Sequence, residues 1–540
     1  MKIILLSFAC VLSLFSYSQK RSYAHPDIDV LQYHYQVELN DANDTLKMTA
    51  EIRFRVLNNN SAVLIDLASL RADGKGMRVK SVTEDDQPVA FVHAENILKI
   101  ALSTHSPEQR TIQINYKGIP ADGLIISKNK YKQRTFFSDN WPDRAHNWLA
   151  CVDHPSDKAP VDFIVKAPVR YQVVSNGSQL EESNLPGDLK LTHWSEKTAL
   201  PVKVMGIGVA EFAVQQVGSV ANGNAMVPVS TWVYPQDRTK GFYDYAVAAD
   251  ILPFFIKNVG PYPYRKLANI ESKTIFGGME NAGAIFYSES SVTGTREMEE
   301  LAAHEIAHQW FGDMATEADW PHVWLSEGFA TYLSMMYMES KYGRQWLVKE
   351  LEQNRKKVIA YSNQRIDNGK YPGPIVDSSI TDYMELLNIN TYKKGGWILH
   401  MLRRQMGDSL FWKGISNYYE QYAGRNAVTE DFKKVMETVS GKNLNRFFHQ
   451  WLYTSGHPVL SIKKKYEKDK KQLTVTVTQQ QEFLFQFPLV IQVEGTGEDG
   501  NVFRPTMIKD KQAVISFPLN NPPVKVVIDP YTALLFEEAQ

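Results

Sequence analysis

Residues 295–332 read TREMEELAAHEIAHQWFGDMATEADWPHVWLSEGFATY, and this stretch decides how the rest of the chain is interpreted. It contains His304, Glu305 and His308 in the order HExxH. Residues four positions apart lie on the same face of an α-helix, so both imidazole rings can reach one metal ion. Acidic residues precede the motif in the predicted first turn of the helix, where the helix dipole favours negative charge. Apolar residues form one face of the same helix. The sequence therefore predicts a helix that carries two metal ligands.

A second helix is predicted to begin near Trp324 and to carry Glu327, with 18 residues between Glu327 and His308. Two histidines and one carboxylate leave a fourth tetrahedral position open for water, which is the composition of a catalytic zinc site rather than of a closed structural one. Aromatic side chains would form a dry apolar shell around that carboxylate: Trp310, Phe311, Trp320, Trp324 and Phe329. The alternatives are a charged surface helix with two incidental histidines and, for Glu327, a surface or helix-capping carboxylate.

Two aspartates near the motif are candidates for holding the outer ring nitrogens of the histidines. Metal-bound histidines usually donate their other N–H to a carboxylate or a carbonyl, and Asp313 and Asp319 lie close in sequence. Ordinary surface positions explain both aspartates equally well, so the sequence leaves their role open.

The segments HEIAHQWFGD (304–313) and WLSEGFATY (324–332) resemble the aminopeptidase N-like zinc metallopeptidases, which are gluzincins whose third zinc ligand is a downstream glutamate. The resemblance implies one Zn²⁺ per chain, held by His304, His308 and Glu327. It also implies that Glu305 is the general base, which takes a proton from water and passes it to the leaving amine.

Residues 267–287, LANIESKTIFGGMENAGAIFY, are predicted to form a strand that ends near Phe276. The next residues are Gly277, Gly278, Met279, Glu280 and Asn281. Paired glycines let a second backbone approach closely, so an edge strand here would add a substrate peptide as one more strand. The segment matches the family's GxMEN motif, and this resemblance implies that Glu280 binds the free α-amine of the substrate. The alternative is a hairpin turn with a solvated glutamate.

Two further segments resemble the family. Residues 391–402, TYKKGGWILHML, resemble its YxKG segment, whose tyrosine, here Tyr392, donates a hydrogen bond to the developing oxyanion. A core tyrosine with a satisfied hydroxyl is the alternative.

Residues 145–155, AHNWLACVDHP, resemble the end of the family's N-terminal domain. The family places Gln or Glu a few residues upstream to help hold the substrate amine, and this chain has Asp139 there; an ordinary loop aspartate is the alternative.

The chain of 540 residues is too long for one ordinary core, and its patterns divide it into three domains. Residues 19–215 are predicted to be an antiparallel β-sheet domain, because apolar and polar residues alternate, as in LKMTAEIRFRV (46–56). Residues 216–455, mostly helical beyond Glu327, are the predicted thermolysin-like zinc catalytic domain. Residues 456–540 return to alternating strands and are predicted to form a small β-sandwich. The fold class is therefore α+β multidomain.

The N-terminal sequence and the net charge predict the cellular location and limit the classes of binding partner. The N-terminus, MKIILLSFACVLSLFSYSQ, has one lysine, an apolar run and small residues, so residues 1–18 are predicted to be a secretory signal peptide. We therefore expect a periplasmic or extracellular protein in which Cys151 is the one cysteine left after cleavage. No segment of the mature chain is predicted to span a membrane. The net charge of −1 gives no reason to expect nucleic acid or an anionic membrane as partner.

These features together predict a zinc aminopeptidase that acts on peptides with a free N-terminal amine. One alternative is a zinc endopeptidase of thermolysin type, which Glu280 argues against because a buried carboxylate would exclude internal peptide. A second is the epoxide-hydrolysing branch of the same family. A third is a peptide-binding protein with a dead site, which the intact Glu305 and Tyr392 disfavour.

Overall fold

The structure is a computed structural model that describes residues 25–58, 60–103, 108–365, 371–495 and 500–539. The predicted signal peptide, residues 1–18, lies outside the described residues. Within these ranges, none of the helices has both the length and the hydrophobicity that a membrane span requires.

The N-terminal part of the chain is built from strands. Their bounds are β1 (Ile28–Glu38), β2 (Leu46–Val56), β3 (Ala62–Asp66), β4 (Gly76–Glu84), β5 (Gln87–Pro88), β6 (Phe91–Ala94), β7 (Ile97–Ala101), β8 (Gln109–Ile119), β9 (Leu124–Lys128), β10 (Arg134–Ser138), β11 (Ala159–Pro168), β12 (Gln172–Ser175), β13 (Ser178–Leu185), β14 (Leu189–Leu200) and β15 (Ile207–Ala210). The strand order is β13-β14-β11-β1-β2-β8-β4-β5 in the main sheet, β12-β15-β10-β9 in a second sheet and β3-β7-β6 in a third.

The alternation predicted for residues 46–56 is confirmed, since Ile52 and Phe54 are buried in β2 while Glu51 and Arg53 are exposed. The main sheet is not purely antiparallel as predicted, because β1 pairs with β11 in parallel. The chain between these two strands contains β2 to β10, and a parallel pair needs a long connection of that kind.

The second part combines a sheet with helices. Its strands are β16 (Ala213–Asn222), β17 (Ala225–Val233), β18 (Leu267–Ser272), β19 (Gly278–Met279), β20 (Ala284–Ser288), β21 (Thr316–Glu317) and β22 (Asn426–Ala427). Its helices are α1 (Arg238–Tyr245), α2 (Ala248–Asn258), α3 (Glu299–His308), α4 (Trp324–Tyr342), α5 (Arg344–Asn363), α6 (Gly395–Met406), α7 (Asp408–Tyr422), α8 (Thr429–Ser440) and α9 (Asn445–Leu452).

The five-stranded sheet of this part has the order β16-β17-β18-β20-β19, so β19 lies at its edge. Strand β16 begins at Ala213, two residues before the predicted end of the N-terminal domain, and it pairs with β17 of the catalytic sheet. Helices α1 and α2 are separated by a two-residue turn at 246–247. The HExxH motif lies at the end of α3, which confirms the predicted helix, and the helix of Glu327, α4, begins at Trp324 as predicted.

The C-terminal part contains β23 (Val459–Glu467), β24 (Gln472–Gln479), β25 (Phe487–Glu494), β26 (Asn501–Ile508), β27 (Gln512–Pro518), β28 (Lys525–Ile528) and β29 (Glu537–Glu538). They form two sheets, β27-β24-β23-β29 and β26-β25-β28, in agreement with the predicted sandwich. His400 of α6 connects this part to the catalytic helices, because its Nε2 lies 2.9 Å from the carbonyl oxygen of Thr532 and its Nδ1 lies 2.9 Å from the Tyr332 hydroxyl.

Two lysines fasten the N-terminal part to the segment that follows α3. Lys203 and Glu317 form an ion pair in which both side chains are buried. Lys158 donates to the carbonyl oxygen of Met314 at 2.8 Å and to the hydroxyl of Thr316 at 3.0 Å. The loop behind the HExxH helix is therefore held by the N-terminal domain as well as by its own helices.

Candidate metal centre and active site

Three side-chain donors from α3 and α4 meet at one point. His304 Nε2 lies 3.1 Å from His308 Nε2, and Glu327 Oε2 lies 3.4 Å from the first nitrogen and 3.3 Å from the second. Helix α3 places the two rings one turn apart on the same face, and α4 packs directly against it. In the described part of the chain, this is the one group of three such residues that could hold a metal ion.

The donor set fits zinc. Zinc bonds to histidine nitrogen and carboxylate oxygen are about 2.0–2.1 Å long, so neighbouring ligand atoms of a tetrahedral site are about 3.3 Å apart. The observed separations of 3.1–3.4 Å match that edge. Glu327 Oε2 is also buried and has no hydrogen-bond partner among the described residues, which is costly unless a cation satisfies it.

The outer nitrogen of His308 is held by the loop that follows α3 and by α4. His308 Nδ1 lies 3.2 Å from the carbonyl oxygen of Phe311 and 3.1 Å from the Ser326 hydroxyl. A proton on Nδ1 is donated to that carbonyl, which leaves the lone pair on Nε2 for a metal. Gly312, which follows Phe311, has a φ of +121°. A Cβ added there would lie 3.1 Å from His308 Nδ1 and would overlap the Ser326 side chain.

The two aspartates proposed for this orienting role lie elsewhere. Asp313 Oδ2 accepts a hydrogen bond from Gln309 Nε2 at 3.0 Å, and Asp319 Oδ1 accepts one from the backbone of Trp320 at 2.8 Å. The partners of His308 are thus a backbone carbonyl and a serine hydroxyl instead of Asp313 or Asp319. Every residue has a backbone carbonyl, so the sequence does not indicate that this one is the partner of His308.

Glu305 is buried beside the donor cluster and lines the same cavity. It packs against Gly278, where a Cβ would lie 2.6 Å from Glu305 Cγ and would overlap its carboxylate. A Cβ on the neighbouring Gly277 would lie 3.9 Å from the methyl groups of Leu301, an ordinary contact. Of the paired glycines, Gly278 is therefore the one that lets the edge strand approach the predicted base.

Glu280 and Asn281 follow β19 and are buried with unpaired polar atoms. Glu280 Oε1 has no hydrogen-bond partner within the described ranges, and neither side-chain polar atom of Asn281 has one. Burial raises the pKa of Glu280 above its ordinary value, and the neighbouring Glu327 raises it further. Met279 is buried between these residues and Gly278, and both Met279 and Glu280 line the cavity.

Tyr392 lies in a π-helical turn, Asn390–Lys394, at the start of α6. Its ring stacks against that of His304 with 6.0 Å between the centroids, and the residue lines the cavity. Burial raises the pKa of Tyr392 well above its ordinary value, and the carboxylate of Glu327 raises it further. The hydroxyl therefore stays protonated and can act as a hydrogen-bond donor.

Asp139 lies behind the cavity and is fully buried. One of its carboxylate oxygens is paired with Arg144, and the other accepts hydrogen bonds from the Thr274 hydroxyl and the Ile275 amide, each at 2.9 Å. These contacts occupy the carboxylate, and Asp139 is not among the cavity-lining residues. It therefore braces the segment that leads to Gly277, in contrast to the predicted contact with substrate.

The cavity has a volume of about 610 Å³ and two different walls. The apolar wall, which includes the neighbour of Glu280 in the chain, belongs to one packed cluster: Trp141, Phe276, Met279 and Leu387. Another part of the lining is polar and charged: Glu297, Glu300, Glu350, Gln353, Lys357 and Lys393. Apart from Met279, the sequence did not indicate these wall residues, since they come from segments far apart in the chain.

Comparisons with known proteins agree with this architecture. Residues 243–451 match the family model described as the peptidase family M1 domain, and residues 30–202 match the peptidase M1 N-terminal domain. The chain is 28% identical over 458 residues to aminopeptidase M1-C of Oryza sativa subsp. japonica, covering 82% of this chain and 50% of that protein. It therefore spans about half the length of the curated relatives that it matches.

Solved structures show the same fold. A crystal structure of Legionella pneumophila aminopeptidase A in complex with aspartic acid has a TM-score of 0.81 at 17% identity, covering 96% of this chain and 60% of that one. The M1 zinc metallopeptidase from Deinococcus radiodurans has a TM-score of 0.68 at 22% identity, covering 80% of this chain and 95% of that one. At these identities the likeness establishes the fold.

Proposed function

Because the chain belongs to peptidase family M1, the aminopeptidase N-like gluzincins, we propose that it is a zinc-dependent aminopeptidase. The proposed reaction is hydrolysis of the N-terminal peptide bond of peptides. The observation that carries this proposal is the content of a single cavity, which holds the His304–His308–Glu327 donor set, Glu305, and the unpaired carboxylate of Glu280.

The residues that would hold Zn²⁺ are His304, His308 and Glu327. When bound, zinc lowers the pKa of a water molecule and polarises the scissile carbonyl as a Lewis acid. Glu305 lies beside these ligands without belonging to the donor set. In the proposed mechanism Glu305 accepts a proton from the attacking water and delivers it to the leaving amine.

Tyr392 is proposed to stabilise the oxygen that gains negative charge during the attack. Its hydroxyl is protonated, because burial raises its pKa, and its ring position against His304 places it at the same site. A hydrogen bond that strengthens as charge develops acts mainly on the transition state, and removal of one such donor typically costs about 2.7–4 kcal/mol.

Glu280 is proposed to bind the protonated α-amine of the substrate. An ammonium group that leaves water needs a carboxylate partner. Glu280 Oε1 is buried and has no hydrogen-bond donor among the described residues, so it is available for that role. From Glu280, the edge strand leads back to Gly278 beside Glu305 and then to Gly277 beside Leu301. A peptide along this edge would have its amine at Glu280 and its first peptide bond next to the general base.

The side chain of the N-terminal residue is proposed to contact the apolar wall beside Glu280. Trp141 and Phe276 pack edge to face there with 6.3 Å between ring centroids, and Met279 and Leu387 complete the surface. We therefore expect large apolar N-terminal residues to be cleaved faster than glycine. The measurement is kcat/KM across a series of aminoacyl p-nitroanilides, and a preference for glycyl or acidic substrates would contradict this assignment.

The proposed activity is tested by metal removal and reconstitution. Chelation should abolish hydrolysis of a chromogenic aminoacyl substrate, and one equivalent of Zn²⁺ per chain should restore it. Glu305→Gln serves as the matched control, because it keeps all three ligands and removes the base. Full activity of metal-free protein, or wild-type turnover in Glu305→Gln, would refute the proposal.

The protein is also proposed to be exported, on the basis of the signal-like pattern of residues 1–18. N-terminal sequencing of the protein recovered from the periplasm or medium should begin close to residue 19. Recovery of the full chain, with Met1 intact, in the cytoplasm would contradict export.

A further inference from the structure

Gln309 connects the helix of the metal ligands to the loop of Glu280. It follows His308 directly and is fully buried. Its Nε2 donates to the carbonyl oxygen of Glu280 at 3.0 Å and to Asp313 Oδ2 at 3.0 Å. Its Oε1 accepts from the amide of Gly283 at 2.7 Å and from the Tyr262 hydroxyl at 3.3 Å. All four hydrogen-bonding positions of the carboxamide are therefore used.

The partners fix which end of the carboxamide is which. The carbonyl of Glu280 can only accept a hydrogen bond, so it must face Nε2, and the amide of Gly283 can only donate, so it must face Oε1. A glutamate at position 309 would place an oxygen against the Glu280 carbonyl and against Asp313. Only an amide of this length satisfies both ends of the loop together.

The loop between these two contacts carries the amine-binding carboxylate. Gln309 holds the loop at Glu280 and at Gly283, which has a φ of +68°. From the other side, the amide of Ala282 donates to the carbonyl of Val204 at 3.1 Å, and Asn176 donates to the carbonyl of Ala282 at 2.8 Å. On the side of α3, the hydrogen bonds to Glu280 and Gly283 come from the Gln309 side chain.

We propose that Gln309 is a positioning residue that sets the distance between the amine-binding Glu280 and the metal ligands of α3. This inference rests on the proposed function, because it takes Glu280 as the amine site. The amine and the scissile carbonyl of a substrate are joined by a fixed covalent distance. A loop that is free to shift relative to α3 would lose that match even if every ligand and the base stayed in place.

The test compares Gln309→Met with Gln450→Met. Gln450 is an equally buried glutamine that fastens the backbone of Gln486 through hydrogen bonds of 2.8 and 2.9 Å, in a part of the protein that does not line the cavity. Both substitutions remove a buried carboxamide of similar volume, so Gln450→Met reports the effect of general destabilisation. Gln309→Glu is the second variant; it keeps the shape and loses the two N–H donors.

The probes are leucine hydroxamate and its analogue without the α-amine, 4-methylpentanehydroxamate. Both bind a zinc ion through the same hydroxamate group, so the ratio of their inhibition constants isolates the contribution of the amine. In Gln309→Met and Gln309→Glu we expect the preference for the amino compound to fall about tenfold, as for one lost hydrogen bond, with unchanged binding of the analogue. Gln450→Met should keep the wild-type ratio.

The outcomes separate this inference from the proposed function. If wild type binds both compounds equally, the amine role of Glu280 fails and the inference fails with it. If Glu280→Gln loses the preference while both Gln309 variants keep it, the proposed function stands and the positioning role is refuted. Equal weakening of both compounds in the Gln309 variants would also refute it, because that pattern indicates a general structural effect.

Discussion

A methyl group added at Gly278 tests the placement of Glu305 without touching a metal ligand. A Cβ at this position would overlap the Glu305 carboxylate and would lie 2.6 Å from its Cγ. An ordinary contact needs about 3.4 Å or more, so the Glu305 side chain must move by about 1 Å. A misplacement of that size typically costs about 100-fold in rate. We therefore predict that Gly278→Ala lowers kcat about 100-fold.

The assay is steady-state hydrolysis of a chromogenic aminoacyl substrate, with zinc content and thermal unfolding measured on the same samples. Gly277→Ala is the matched control, because its added Cβ meets Leu301 at 3.9 Å and displaces nothing. Gly278→Ala should retain its zinc and most of its stability, since a flexible side chain can yield. Turnover within threefold of wild type in Gly278→Ala, or an equal loss in Gly277→Ala, would refute the reasoning.

Three further substitutions, two in the active site and one at a buried histidine, test other parts of the structure. Tyr392→Phe should lower kcat about 100- to 1,000-fold with little change in KM, and an effect confined to KM would reassign Tyr392 to substrate binding. Glu280→Ala should lower kcat/KM on free-amine substrates about 10- to 200-fold, which steady-state kinetics would measure; an unchanged value would remove Glu280 from the site. Burial lowers the pKa of His400 from 6.5 to about 3. Between these two values His400 is protonated in the unfolded chain and neutral in the native protein. The free energy of unfolding therefore decreases as the pH is lowered. His400 accounts for a loss of about 2 kcal/mol between pH 7 and pH 5. Urea unfolding at pH 7 and pH 5 should show that loss in wild type and its absence in His400→Gln; equal losses would exclude His400 as the cause.

The metal centre could be predicted from the sequence because its geometry is largely local. His304 and His308 are one helical turn apart, so the period of the helix alone brings their rings together. Glu327 required a second helix packed on the first, which the aromatic residues around it indicated. The alternation in β2 and the two-sheet C-terminal domain were likewise periodic features.

Features that depend on tertiary contact could not be predicted in this way. Asp139 lies near the family's amine-binding position in sequence, yet the fold pairs it with Arg144 and the backbone of Ile275. Gln309 directly follows the HExxH motif, but its partners at Glu280 and Gly283 become neighbours only when the edge strand packs against α3. The parallel pairing of β1 with β11 is also long-range, and periodicity carries no information on it.

In the proposed function, Glu280 and the metal centre together select the first peptide bond of a free-amine peptide. The most direct measurement is mass spectrometry of digests of one peptide with its α-amine free and the same peptide N-acetylated, each incubated with the zinc-loaded protein. We expect stepwise loss of N-terminal residues from the free peptide and no cleavage of the acetylated one, which lacks the cation that Glu280 is proposed to bind. Equal cleavage of both peptides, or internal fragments as the first products, would make the protein an endopeptidase and contradict the role of Glu280.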